Sequence, residues 1–488
     1  MFASLILIVV LIWVAQKTIE FYGNVKAVGN HPGNRTILWT DHLLTYLLPP
    51  IPGLTCGSNY FFDKKYEGEQ IRGVNVAEAS VNHPNTRSYF LIADPALTKH
   101  ISSARVSFPK PTFLYRVLSV FGPNIIASEG DTWKKYRRIS APAFLDRNNR
   151  LVWEESLNTT SDLINTVGKD KDVVEVEHVA DVTLQISVNV IGGASFGRKM
   201  SWQVDTAVTP GHMMAFSEAL RLACSGVVLK IIVPRWAMGL IPKWAEVRAA
   251  FDELEAYMLE MIRTRRTAEK EERSDLLSSL LDANDDEDLL GEETKLKDQE
   301  LLGNIYAFLI AGHEAARALS FAFALLALHP DQQEILYRHI KTIVPDGRNP
   351  TYEEMPLFTH SVAVFYEALR LFPPVTLIPK ISAEDTVLVS TNKVGERKTI
   401  RVPQGAILDI DVVGLHYNHD AILEGPRDVR PIKGARACMG RKFSETEGVA
   451  VLTMLISKYK ISVREKRGET FEERKDRILQ TRAGISLT

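Results

Sequence analysis

Lys433-Gly-Ala-Arg-Ala-Cys-Met-Gly-Arg-Lys442 is the stretch on which the reading of this chain turns. Gly434 stands four residues before Cys438 and Gly440 two after it. Little side-chain bulk therefore surrounds the sulfur, and a large flat group can approach it. Arg436 sets a permanent cation two residues away, suited to a carboxylate on such a group. Residues 441–457 carry amphipathic periodicity and predict a helix, so Cys438 lies just ahead of a helix N-terminus, where an anionic sulfur is favoured. A lone thiolate in such a loop is one way to ligate haem iron and push electron density onto it. The same residues also suit a buried structural cysteine, and at this point both readings stand.

The 488 residues are 45% apolar, enough for a large core in one big domain or two to three smaller ones. A formal charge of −2 argues against general nucleic-acid binding. The three cysteines, Cys56, Cys224 and Cys438, are far apart and give no disulfide framework or paired metal motif. A reducing compartment follows for the catalytic part.

Met1 to Ala15 form an apolar, uncharged run, and Gln16 to Tyr22 extend it as an interfacial flank. There is no positive segment ahead of the run and no small-residue cleavage site, which favours an uncleaved anchor over a signal peptide. The expected layout is a transmembrane anchor at 1–22, a linker at 23–55 and a catalytic domain at 56–488. Lys17, Lys26 and Arg35 then fall on the cytosolic side, where the sequons at Asn34 and Asn158 stay unused. The linker contains Leu48-Pro-Pro-Ile-Pro-Gly53, whose stacked prolines stiffen the chain.

Residues 85–95 and 376–415 alternate in the manner of short strands, and most of the remainder has helical periodicity. The charged stretch 267–299 reads as a solvated connection between helices. After it, Leu301 to Leu328 predict a helix closed by His329-Pro330, about 43 Å long and apolar on all sides. Ala311-Gly-His-Glu314 interrupts it with a glycine that lets a flat ligand reach the backbone and a carboxylate able to deliver protons. Further on, Glu367 and Arg370 share a helix face and can pair through two hydrogen bonds. Trp133 and Arg137, within Trp133-Lys-Lys-Tyr-Arg-Arg138, share another face. The cations beside them, with Arg441 and Lys442, are either a solvated face or a docking patch for an acidic flavoprotein.

These stretches, in this order, resemble the cytochrome P-450 superfamily, of the fungal, membrane-anchored microsomal type associated with secondary metabolism. Gly434, Arg436, Cys438 and Gly440 match its Phe-x-x-Gly-x-Arg-x-Cys-x-Gly loop, with Pro431 in place of the phenylalanine. The 311–314 segment is similar to its Ala-Gly-x-Glu/Asp-Thr motif. Glu367-Ala-Leu-Arg370 ahead of Phe372-Pro-Pro374 is similar to its Glu-x-x-Arg helix, and Trp133-x-x-x-Arg137 to its Trp-x-x-x-Arg helix. The 48–53 prolines resemble the hinge of anchored members, and Val190 to Gly197 and Gly414 to Asn418 resemble stretches of fungal ones.

The resemblance implies a mainly α, P-450-like helical domain with small β-sheets behind an N-terminal membrane anchor. It implies haem with Cys438 as axial thiolate and metal ligand, Arg436, Trp133 and Arg137 on the propionates, and Ala311, Gly312 and Glu314 in the oxygen pocket. Glu367 and Arg370 take a structural role on the thiolate side. The implied reaction inserts one atom of dioxygen into an apolar small-molecule substrate. Electrons come from NADPH through cytochrome P-450 reductase, at the endoplasmic reticulum with the catalytic domain in the cytosol.

Two departures qualify this. Ala315 replaces the threonine whose hydroxyl serves oxygen activation. The segment 419–433 is shorter than the family's meander and lacks its arginine, a third partner of the Glu–Arg pair, for which Arg427 and Arg430 are the candidates. Alternatives are therefore a peroxide-dependent isomerase or peroxygenase, and a catalytically impaired relative.

Overall fold

Two acids in the first turn and a proline behind the last set the limits of the longest helix, Asp298–Leu328. Asp298 and Glu300 suit the positive end of the helix dipole, and Pro330 cannot continue the hydrogen-bond ladder past His329. At 31 residues it is the helix expected from the apolar run, begun three residues earlier. The computed structural model describes residues 2–27, 29, 34–38, 45, 48–57, 60–64, 76–81, 88–169, 171–198, 200–202, 208–267, 275–285, 295–391, 397–418 and 436–480. The chain divides into two compact units, the first formed by 1–114, 375–437 and 481–488, the second by 115–374 and 438–480. Elements are numbered along the whole chain.

The first unit holds α1 (Phe2–Ala27), α2 (Tyr60–Lys64), β1 (Val76–Val81), β2 (Ser88–Ile92), α3 (Pro95–Ser103), β3 (Leu377–Ile381), β4 (Thr386–Thr391), β5 (Arg397–Val402), β6 (Ile407–Asp411) and α13 (Val412–Tyr417). α1 is 26 residues long and outruns the expected anchor by five; at about 1.5 Å per residue it exceeds a hydrocarbon core of roughly 30 Å. Four strands form one sheet in the order β1-β2-β6-β3, with β2 and β6 parallel and the outer pairs antiparallel. The central strands β2 and β6 are buried at every position, Asp409 and Asp411 of β6 included. Phe90, Ile92, Leu408 and Ile410 pack with Leu97 and Ile101 of α3 and with Leu388, Ile400 and Val402 of the β4–β5 hairpin. Asp411 caps α13 by accepting from the Gly414 amide at 2.8 Å. A Cβ on Gly414 would lie 2.6 Å from that carboxylate, so glycine is required there.

The second unit holds α4 (Gly130–Ser140), α5 (Asp146–Val167), α6 (Val179–Phe196), α7 (Phe216–Ile232), α8 (Pro242–Thr267), α9 (Leu276–Asp285), α10 (Asp298–Leu328), α11 (Pro330–Ile343), α12 (Thr359–Leu371), α14 (Arg441–Lys458) and α15 (Phe471–Ile478). α6 and α10 are long and apolar enough to cross a membrane, yet both are mostly buried, as core helices are. α6 ends at Gly197, whose φ of 64° is left-handed and ends the helix without strain. Thr183 of α6 and Ser320 of α10 share a buried hydrogen bond of 2.5 Å. α9 corrects the reading of 267–299 as a solvated connection. Leu276, Leu277, Leu280 and Leu281 are all buried, and Arg265 pairs with Asp275 just ahead of the helix.

Candidate active site

α14 begins at Arg441 after Gly440, so Cys438 stands just before its N-terminus, as the sequence predicts. The thiol is free and exposed. Gly440 has a φ of −78°, which any residue adopts; its value is room, since a Cβ there would meet only Phe144, at 3.7 Å. Phe144 in turn stands edge-on to Phe308 of α10, with ring centroids 5.4 Å apart. Arg436 is half-buried, and Gly434 lies outside the described residues.

α4 brings in the second group. Trp133 is buried at 7% exposure and Arg137 is half-buried, one turn apart on the same face. Burial holds the Arg137 guanidinium below its usual value, and the sulfur of Cys438 pulls it the other way. Two of the predicted cofactor residues, 301 positions apart in the chain, are thus within electrostatic reach of each other.

α10 supplies the third wall. From Leu301 to Leu328, Ala311 is the one exposed position among the described side chains, in a helix otherwise buried or half-buried. At Gly312 a Cβ would lie 2.3 Å from Cδ1 of Ile191, so its bare face admits α6. His313 is buried, and the role expected for the Glu314 carboxylate lies outside the described side chains.

Glu367 and Arg370 of α12 form the expected pair, with two hydrogen bonds of 2.8 and 2.7 Å. The Glu367 side chain is 54% exposed. Arg427 and Arg430, the candidate third partners, lie outside the described residues. A stronger tie on this side is one the sequence did not suggest. Tyr366 donates to Glu445 at 2.6 Å, and Lys442 donates to the other oxygen at 2.6 Å, binding α12 to the first turn of α14. Burial and the Glu445 carboxylate push the Tyr366 hydroxyl well above the usual phenol range.

The cationic patch is smaller than expected. Lys134 pairs with Asp131 at 2.8 Å, Lys135 turns inward to Glu300 at 2.9 Å, and Lys442 is held by Glu445. Arg138 and Arg441 are exposed and carry no acidic partner among the described residues.

The cytochrome P-450 family model matches residues 82–420. The chain belongs to the cytochrome P-450 family. It is 42% identical to cytochrome P-450 monooxygenase 124 of Postia placenta, over 97% of this chain and 94% of that one. A cytochrome P-450 monooxygenase of Arthrobotrys oligospora is 26% identical, over 79% of this chain and 77% of the relative. Among solved structures, the cytochrome P-450DA heme domain superposes with a TM-score of 0.69 at 19% identity, covering 94% of this chain and 96% of that one, which shows the shared fold. The chain is therefore a P-450 monooxygenase, an oxidoreductase of mainly helical fold whose cofactor is haem. P-450 monooxygenases need a redox partner and a substrate. The family match stops at residue 420, short of Cys438. An exposed thiol at Cys438, a cation at Arg137 within electrostatic reach of it and an open alanine at Ala311 are the kinds of group a haem site can use.

Proposed function

We propose that Cys438 is the axial ligand of the haem iron in a membrane-anchored monooxygenase that hydroxylates or otherwise oxygenates an apolar organic substrate, with electrons from NADPH through a cytochrome P-450 reductase. The observation that carries it is the free, exposed Cys438 thiol ahead of α14 with Arg137 in electrostatic reach. When bound, haem supplies the redox chemistry that activates oxygen. The Cys438 sulfur would hold the iron. Trp133 and Arg137 of the second unit would donate to the propionates, the role that the family resemblance also gives Arg436. The small side chain of Ala311 would leave room for oxygen, and Glu314 would deliver protons. Glu367 and Arg370, with the Tyr366–Glu445–Lys442 cluster, hold the helices on the thiolate side.

Membrane attachment is supported by the apolar α1, where Ile8, Leu11, Ile12 and Trp13 are all exposed. α1 would be the single anchor, at the endoplasmic reticulum with the rest cytosolic. Between α7 and α8 the second unit exposes Trp236 at 77% and Leu240 at 71%, beside Ile231, Ile232 and Ile241. Lys243 is an exposed cation close by in the sequence, while Arg235 is paired with Asp252.

The reduced, carbon-monoxide-bound absorption spectrum tests the assignment. A thiolate-shifted band is expected, and Cys438→Ser should abolish it; an unshifted band, or one that survives the substitution, removes Cys438 from the site. A second reading, a peroxide-driven isomerase or peroxygenase, is favoured by Ala315 at the threonine position. Turnover with peroxide and none with NADPH and reductase would select it.

A further inference from the structure

Glu300, in the first turn of α10, accepts three hydrogen bonds among the described residues, from Tyr136, Lys135 and the Lys297 amide. Tyr136 of α4 donates to its Oε1 at 2.7 Å, and Lys135 of α4 donates to Oε2 at 2.9 Å. The Lys297 amide donates to the same Oε2 at 2.8 Å. The Lys135 and Glu300 side chains are only 18% and 16% exposed, and Tyr136 is buried. These are charge-assisted bonds in a partly dry site, the stronger kind.

The surrounding contacts close the same seam. Asn304, one turn on and fully buried, donates to the Glu300 carbonyl at 2.7 Å and accepts from the Ile125 amide at 2.9 Å. A Cβ on Gly122 would lie 2.2 Å from the Gln299 carbonyl oxygen, and one on Gly303 2.4 Å from that of Pro123. The segment 122–136 is therefore fastened at both ends, through Gly122, Pro123 and Ile125 and through Lys135 and Tyr136, to the opening turns of α10.

We propose that Glu300 is a positioning residue: by gripping Tyr136 and Lys135 it fixes the rotation of α4, and so sets where Trp133 and Arg137 present their donors to the haem propionates. Tyr136 is adjacent to Arg137 and one turn from Trp133, so a rotation of α4 released at Glu300 moves both. Burial alone would raise the Glu300 carboxyl; the Lys297, Lys135 and Tyr136 bonds outweigh it and hold the group below its usual value, and therefore charged. The inference rests on the haem reading above.

The test compares Glu300→Ala, Glu300→Gln and Tyr136→Phe with the parent protein, all loaded with haem. Three quantities are read: the rate of haem release to a scavenging globin, the propionate-sensitive vibrational bands of the bound haem, and the midpoint of thermal unfolding. Glu300→Ala and Tyr136→Phe should speed release about tenfold, the scale of one lost charge-assisted bond, and shift the propionate bands. Glu300→Gln keeps the acceptor for Tyr136 and should restore much of both. Tyr136→Phe removes one hydroxyl and decides the matter if Glu300→Ala does not fold. Lowered thermal midpoints with parental release rates and bands would make Glu300 a stabiliser of the fold alone and overturn the inference. A parent protein that takes up no haem would overturn the haem reading instead.

Discussion

The Ser187 hydroxyl donates to the Glu447 carboxyl where both are closed to solvent, and this contact joins α6 to α14. Burial pushes the Glu447 carboxyl up to about 7, against the pull of the Ser187 bond. The native state therefore holds this proton more tightly than the unfolded chain. Its stabilising contribution is full below pH 4.5 and is lost as pH rises through 7. Asp411 acts in the same direction, raised by burial to about 7. Glu447→Gln should flatten stability between those limits and gain up to about 3 kcal/mol above pH 7. Denaturant titrations at a series of pH values check this; an unchanged pH slope would remove Glu447 from the account.

Gly312 and Ile191 make a second prediction. Gly312→Ala gains helix propensity, about 1 kcal/mol, but presses a methyl against Ile191 Cδ1. Ile191→Val deletes that carbon. The double variant should be more stable than the sum of the single changes by about 1 kcal/mol. Additivity within error would mean that the bare face at Gly312 does not serve helix packing.

The Glu367–Arg370 pair is worth less than its likeness to a buried lock suggests. With Glu367 more than half exposed, solvent screens the pair, and Glu367→Ala should cost under about 1 kcal/mol from this contact. A loss of several kcal/mol in equilibrium unfolding would show that the carboxylate carries a heavier duty than this exposure allows.

Trp236 gives a test of the lipid-facing surface. In the full chain reconstituted into anionic vesicles, depth-dependent quenchers in the bilayer should quench part of the tryptophan emission, and Trp236→Phe should remove that part. Quenching identical in the two proteins would take Trp236 out of the membrane. Trp236→Asp with Leu240→Asp should weaken vesicle association further, since burying either side chain is worth about 1.5–3 kcal/mol.

Much of this architecture was readable where one residue type has one physical consequence. Pro330 ends α10 because proline cannot donate, and Cys438 falls ahead of α14 because the helical run begins at Arg441. α9 was hidden because its four buried leucines sit in a stretch dominated by charge. β1, at Val76–Val81, gave no alternation strong enough to register. The packing of Gly312 against α6 was not legible, because the meaning of a bare helix face depends on its neighbour, and Ile191 is 121 positions away. Glu300 carried a signal, an acid in the first turn of a helix, that promises only a cap. Its grip on Tyr136 spans 164 positions, and no local pattern records it.

Lys134, Lys135 and Lys442 are each neutralised within the molecule, by Asp131, Glu300 and Glu445. The long-range pull on an acidic electron donor approaching this side then rests on Arg138 and Arg441, which are exposed and carry no acidic partner among the described residues. Added salt should slow that encounter only by the share these two cations supply. Discrimination between donors then falls to the fit of surfaces at close range.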